Sequence, residues 1–168
     1  MPTAYNFIAS TTVGAGGAAS VTFTSIAATY TDLKLVISGR TSGGNQTMYF
    51  NINSDTNDAN YDSKNLQGNG TSPASGTGNR LFSYLGQSGD TASVFGNLEM
   101  YFPKYSSSST YKSFSSQGGE ENNATGAIIA IGGVLWKSNS VITAVTVTPY
   151  SGSFIQYTTA YLYGIKNS

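Results

Sequence analysis

The sequence predicts an all-β domain: an antiparallel β-sandwich, built as a jelly roll. Three observations predict it. Short segments alternate apolar and polar residues at the two-residue period of a half-buried strand. Clusters of Gly, Ser, Asn and Pro punctuate them at spacings of roughly 8–15 residues. No long stretch carries a helical period with helix start and stop signals. About nine or ten strands follow, the number an antiparallel sandwich needs. The 168 residues fit one domain over 1–168, long enough to bury a core. Capsid and lectin domains use jelly rolls at this length.

Taken in order, Tyr5–Ala9 reads as a short first strand and Val13–Gly17 as a flexible turn. Ala19–Ile26 places Val21 and Phe23 on one side and Ser20, Thr22 and Thr24 on the other. Tyr30–Ser38 groups Leu33, Leu35 and Ile37 against Asp32, Lys34 and Ser38. Thr47–Asn53 sets Met48, Phe50 and Ile52 against Tyr49, Asn51 and Asn53. The polar stretch Ser54–Asn79 is too long for an ordinary connection and reads as a long polar loop or surface arm, with room for a helical turn.

Arg80–Gly86 is the next strand. Thr91–Phe102 follows with Val94, Leu98, Met100 and Phe102 on one face, and Pro103 ends it. Tyr111–Gln117 is a further strand, and Gly118–Gly126 an acidic-polar turn. Ala127–Trp136 is almost continuously apolar, the pattern of a strand buried on both faces. The chain closes on Val141–Thr148, apolar on one face and hydroxylated on the other, then the turn Pro149–Gly152, then Gln156–Ile165. This last strand ties the terminus into the sheet.

Composition removes much chemistry. There is no Cys and no His, so thiol nucleophiles, the usual triad base and structural zinc or blue-copper sites are excluded. Eight basic residues balance eight acidic ones, and no basic patch forms, which argues against nucleic acid. The apolar run 127–136 is too short for a membrane helix, so no membrane insertion is expected. Met1–Tyr5 lacks the basic start of a signal peptide, which makes the Asn-X-Thr triplets at Asn45, Asn69 and Asn123 idle. No cofactor is called for.

Two groups of residues remain as candidates. Asp55, Asp58 and Asp62 supply oxygen ligands of the kind a hard cation such as Ca²⁺ takes. They miss the EF-hand pattern, because Ala59 stands where a ligand is needed, and an Asx-rich turn is the preferred reading. Tyrosine is the other signal, with 12 copies. An aromatic body with a polar tip suits contact surfaces. Tyr61, Tyr105, Tyr111 and Trp136 are the interaction candidates, set against ordinary use of aromatic residues in strands and core. Glu120 and Glu121 make a poor acid pair, since neighbours in a strand face opposite ways. The chain is read as non-enzymatic.

Several segments together carry a resemblance: Met48–Asn53 with the Asp-rich turn and Asn60-Tyr61, Leu98–Tyr105 leading to Tyr111-Lys112-Ser113, Trp136 through Ala144 into Val145-Thr146-Val147, and the ending Ala160–Ile165. In order and spacing they resemble small tailed-phage virion surface proteins of jelly-roll type, displayed on capsids as decoration, cement or knob proteins or at tail-fibre tips. The resemblance implies no catalytic residues. It implies a virion structural protein, made in the host cytoplasm, and by itself leaves the outer capsid surface and the tail tip both open. Its partners would be further copies of itself, as a trimer, and the major capsid protein shell. The chain carries no fibre shaft or coiled coil, which favours the head. The alternative is a tail-fibre receptor-binding or carbohydrate-binding module with a host surface glycan as partner.

Overall fold

The computed structural model describes residues 4–121 and 127–166. Twelve strands run through them: β1 (Ala4–Thr12), β2 (Val21–Phe23), β3 (Asp32–Gly39), β4 (Thr47–Ile52), β5 (Tyr61–Gly68), β6 (Pro73–Gly78), β7 (Leu81–Tyr84), β8 (Gly96–Phe102), β9 (Lys112–Glu120), β10 (Ile128–Trp136), β11 (Val145–Pro149) and β12 (Thr159–Lys166). A single 3-10 turn, Asp58–Asn60, is the only helical piece among the described residues.

The strands form two antiparallel sheets. One has eight strands in the order β1-β12-β3-β8-β9-β10-β5-β6, and the other four, β2-β11-β4-β7. Setting aside the β5–β6 and β9–β10 hairpins leaves β1-β12-β3-β8 facing β2-β11-β4-β7. The chain then changes sheet at every connection except the one from β4 to β7. That is jelly-roll connectivity. The two hairpins lie side by side and extend the first sheet beyond β8.

β12 sits between the two ends of the chain's first third. It pairs with β1 from Ala4↔Lys166 to Thr12↔Thr159, and with β3 from Thr159↔Ser38 to Ile165↔Asp32. The terminal strand is therefore interior, as its β-branched and aromatic residues suggest.

Strand parity sets the core. Leu33, Leu35 and Ile37 of β3 and Leu98, Met100 and Phe102 of β8 are buried. So are Met48, Phe50 and Ile52 of β4, Val21 and Phe23 of β2, and Val145 and Val147 of β11, all in the same core cluster. Phe102 meets Phe114 of β9 at a ring-centroid distance of 4.8 Å. Gly152 closes the turn after β11 at φ +70, and a Cβ there would collide with the Gly43 backbone, so two loops touch through a residue that has to be glycine.

Three expectations need correction. Ser54–Asn79 is not a loop or arm; it holds the 3-10 turn and the β5–β6 hairpin. Its period-two signal is silent because β6 is polar or small throughout and exposed along most of its length, so neither face carries apolar residues. β10 is not buried on both faces: Ile129 and Ile131 are 60% and 51% exposed, on the outer side of the sheet, while Ala130, Val134 and Trp136 point inward. Gly118–Glu120 belongs to β9 rather than to a turn; residues 122–126 of that expected turn, with Asn123, lie outside the described residues.

Leu162 is fully buried on β12. Leu162→Ala is expected to lower unfolding free energy by about 2–5 kcal/mol, read from urea titration. Deleting residues 161–168 strips β1 of its only partner and opens the edge of β3, and should abolish the cooperative transition. An unchanged midpoint in either variant would contradict an interior β12.

Candidate functional site

The aspartate-rich turn is built to hold its own chain. Asp55 Oδ1 accepts the Asn57 N–H at 3.0 Å, and Asn57 Oδ1 accepts the Ala59 N–H at 3.1 Å: two successive Asx turns. Asp55 Oδ2 accepts from Trp136 Nε1 at 2.8 Å and from Asn60 Nδ2 at 2.9 Å. Burial works to raise the Asp55 pKa, but the hydrogen bonds from Trp136, Asn57 and Asn60, with the Arg80 charge, outweigh it and leave the carboxyl below its ordinary value. Asp58 pairs with Arg80 at 2.7 Å and Asp62 with Lys137 at 2.8 Å. The three carboxylates thus serve three separate partners. Among the described residues no group of three acidic, His or Cys side chains is placed to hold a metal ion.

Tyr61, Trp136 and Tyr105 are buried inside the domain. Each is 3% exposed or less. Tyr61 stacks on Trp136, with ring planes 25° apart. Its hydroxyl donates to the Asp55 carbonyl at 3.1 Å and accepts the Ile52 N–H at 3.0 Å. Burial pushes that phenol up to about 12, so it stays neutral. Tyr105 donates to the Ala27 carbonyl and accepts the Tyr30 N–H at 3.3 Å, tying two loops together. Each aromatic ring fills the core while its polar tip satisfies a backbone or carboxylate group. Of the four interaction candidates only Tyr111 is at the surface, 59% exposed.

Arg40 went unmarked in the sequence and is buried. Its guanidinium donates to four backbone carbonyls, of Ser88, Asp90, Thr91 and Val94, at 2.9–3.2 Å. This fixes the β7–β8 loop. Beside it, Asp90 and Glu120 are both buried, while Glu121 points to solvent as strand parity requires. Burial, then the Asp90 charge and a hydrogen bond shared with Asp90, push the Glu120 carboxyl up to about 7, against the pull of Arg40.

The outer face of the eight-stranded sheet carries a large hollow. Strand register aligns two rows of outward side chains across it. Lys34, Tyr101, Ser115, Gly133, Lys64 and Thr77 make one; Glu99, Gln117, Ile131, Leu66 and Ser75 make the other. At strand spacing the first row spans roughly 24 Å. A groove of about 880 Å³ opens over these rows, with the Tyr5 ring closing one end. Lys34 bridges to Glu99 at 2.8 Å and lies 5.8 Å from the Tyr5 ring centroid. Its ammonium is held above the ordinary lysine value by the Glu99 hydrogen bond, against burial. Tyr101 donates to Asp32 at 2.6 Å, and Lys64 donates to Thr77 at 2.7 Å. Leu66 is 60% exposed. None of these residues was singled out from sequence as a site: they lie on seven strands, and only the sheet order and register bring them together.

The outer face of the four-stranded sheet differs. Thr22, Thr146 and Asn51 align in one row and Thr148 and Tyr49 in the next, a surface of hydroxyls and aromatic rings. Tyr49 packs on Tyr150 at 5.6 Å, and Arg80 lies 5.2 Å from the Tyr49 ring centroid. Comparison with protein-family models, with curated proteins and with solved structures found no match.

Two outcomes follow. Asp55→Ala leaves the buried Trp136 N–H without its acceptor and should cost about 1–3 kcal/mol in urea unfolding, while EDTA and added Ca²⁺ leave the wild-type melting temperature unchanged. A Ca²⁺-dependent rise would contradict the turn described above. For Glu120, a raised folded pKa means the native state binds more protons than the unfolded chain between about pH 4.5 and 7. That contribution is fully present below the unfolded pKa and lost as pH rises through 7. The unfolding free energy from urea titration should therefore fall between pH 5 and pH 8, by on the order of 2 kcal/mol, and Glu120→Gln should flatten the dependence. An equally steep profile in Glu120→Gln would contradict the assignment.

Proposed function

We propose that this chain is a non-enzymatic surface protein of a tailed-phage particle, a decoration or cement protein bound to the outside of the capsid shell. The reading starts from the segments that resemble such proteins. The structural observation that supports it is the outer face of the four-stranded sheet. Thr22, Thr146, Thr148 and Tyr49 present a neutral surface of hydroxyls and aromatic rings. Such a face suits a shell or a second copy of the chain, since tyrosine-bearing, charge-poor surfaces are what the centre of an interface uses. Copies assemble through closed symmetry, a trimer first among the arrangements, and the unpaired outer edges of β1 and β6 offer further contacts. The chain works on the virion surface after synthesis in the host cytoplasm.

A second reading is favoured by the groove on the opposite sheet: a receptor- or glycan-binding module at a tail tip. The two readings separate in one experiment. Purified protein is mixed with particles lacking it. The decoration reading predicts saturable rebinding at many sites per shell, changed little between low and moderate salt, because eight basic and eight acidic residues give no net steering charge. Thr146→Arg, which places a charge in the middle of the proposed contact face, should weaken rebinding without lowering the melting temperature. Adhesion to host cells with no affinity for the shell would replace the decoration reading with the second.

A further inference from the structure

We propose that the groove on the outer face of the eight-stranded sheet binds an uncharged oligosaccharide. A pyranose ring offers apolar C–H patches and a rim of hydroxyls that both donate and accept. The groove offers the matching alternation. Leu66 and Ile131 stand next to one another in register, with Gln117 and Ser75 on either side in the same row and Ser115 and Lys64 in the row beside it. The Tyr5 ring and Tyr101 wall one end. Among the described residues the exposed side chains of Ser115 and Gln117 make no hydrogen bond to protein, so their amide and hydroxyl groups are open to a ligand. Gly133 lies in register between Ser115 and Lys64, and a Cβ there would touch nothing. The space above it is room for a ligand.

Charge and backbone select among occupants. The Lys34 ammonium is matched by Glu99, which leaves Lys64, hydrogen-bonded to the Thr77 hydroxyl, as a single remaining cation and not the cationic row a polyanion such as nucleic acid needs. An extended peptide adds to a sheet along a free edge, whereas this groove runs across the strands: β3 to β5 beneath it are paired on both sides, and only its β6 end reaches an edge. A second copy meeting this face by a two-fold contact would bring the same hollow, and two hollows leave a void rather than fill one. An uncharged chain of sugar rings fits the length of the groove and its alternation of polar and apolar side chains.

The inference is independent of whether the domain sits on head or tail, and its test does not use particles. The full chain is titrated against immobilised uncharged oligosaccharides of glucose, galactose, mannose and N-acetylglucosamine. Saturable binding to at least one of them is expected, persisting at moderate salt. Gln117→Ala and Leu66→Ser should each weaken it by about tenfold or more. Gly133→Tyr, at an exposed position where an added Cβ meets no atom, projects a bulky ring between Ser115 and Lys64 and should block it with an unchanged melting temperature. Tyr157→Ala, 69% exposed and outside the groove, should bind as wild type. Absence of binding across the panel by folded protein would overturn the inference. So would binding that Gly133→Tyr and Gln117→Ala leave intact. Loss of an oligomer in Leu66→Ser, with no sugar binding in wild type, would assign the face to contacts between copies. Gly133→Tyr that still decorates shells but no longer binds sugar would separate this site from the shell contact.

Discussion

The architecture depends on one strand being paired on both sides. β12 arrives last and fills the gap between β1 and β3, so the first sheet is complete only when the last strand is in place. Its side chains show why the slot suits it. Ala160 and Leu162 face inward and are fully buried, while Tyr161 and Tyr163 stack on the outside, with Tyr163 edge-on to Tyr5 and Phe7 of β1. Every backbone group of such a strand has a neighbour, and no edge is left open between the first and last strands. Gly164 completes the fit, because a Cβ there would run into the Tyr30 ring.

A second constraint follows from the first sheet being wider than the second. Four strands cover four, and the two hairpins carry the larger sheet past the sandwich. Their inner face is still used: Tyr61, Trp136 and Phe114 are buried there, pinned by Asp55. Among the described residues nothing covers their outer face, and Ile129, Ile131 and Leu66 are exposed on neighbouring strands. The Asp-rich turn is part of the same economy: its carboxylates cap a Trp N–H and balance Arg80 and Lys137, so the hairpin stays docked.

Legibility in the sequence followed apolar alternation. β3, β4, β8 and β11 were readable because Leu33-Leu35-Ile37, Met48-Phe50-Ile52, Leu98-Met100-Phe102 and Val145-Val147 repeat at period two against one core. β6 was unreadable because Ser75, Gly76, Thr77 and Gly78 put no apolar residue on either face. β10 was misread because Ile129 and Ile131 look like core residues, and a period-two pattern cannot say that one face of a strand is open. The aromatic candidates failed for a related reason: Tyr61, Tyr105 and Trp136 have polar tips that internal partners satisfy, which composition cannot reveal. The groove needed register. Gln117 and Leu66 are 51 positions apart and become neighbours only through β10.

The central claim is that the two hairpins and four of the jelly-roll strands, β1, β12, β3 and β8, form one continuous eight-stranded sheet with a stable outer face. Native-state hydrogen exchange resolved by residue tests it most directly. The account predicts that amides of β9, β10 and β5 are protected to a degree comparable with β3 and β12, with only the outer side of the β6 edge exchanging quickly. Exchange of β5 and β10 at the rate of an unstructured chain, beside a protected β3 and β12, would contradict it.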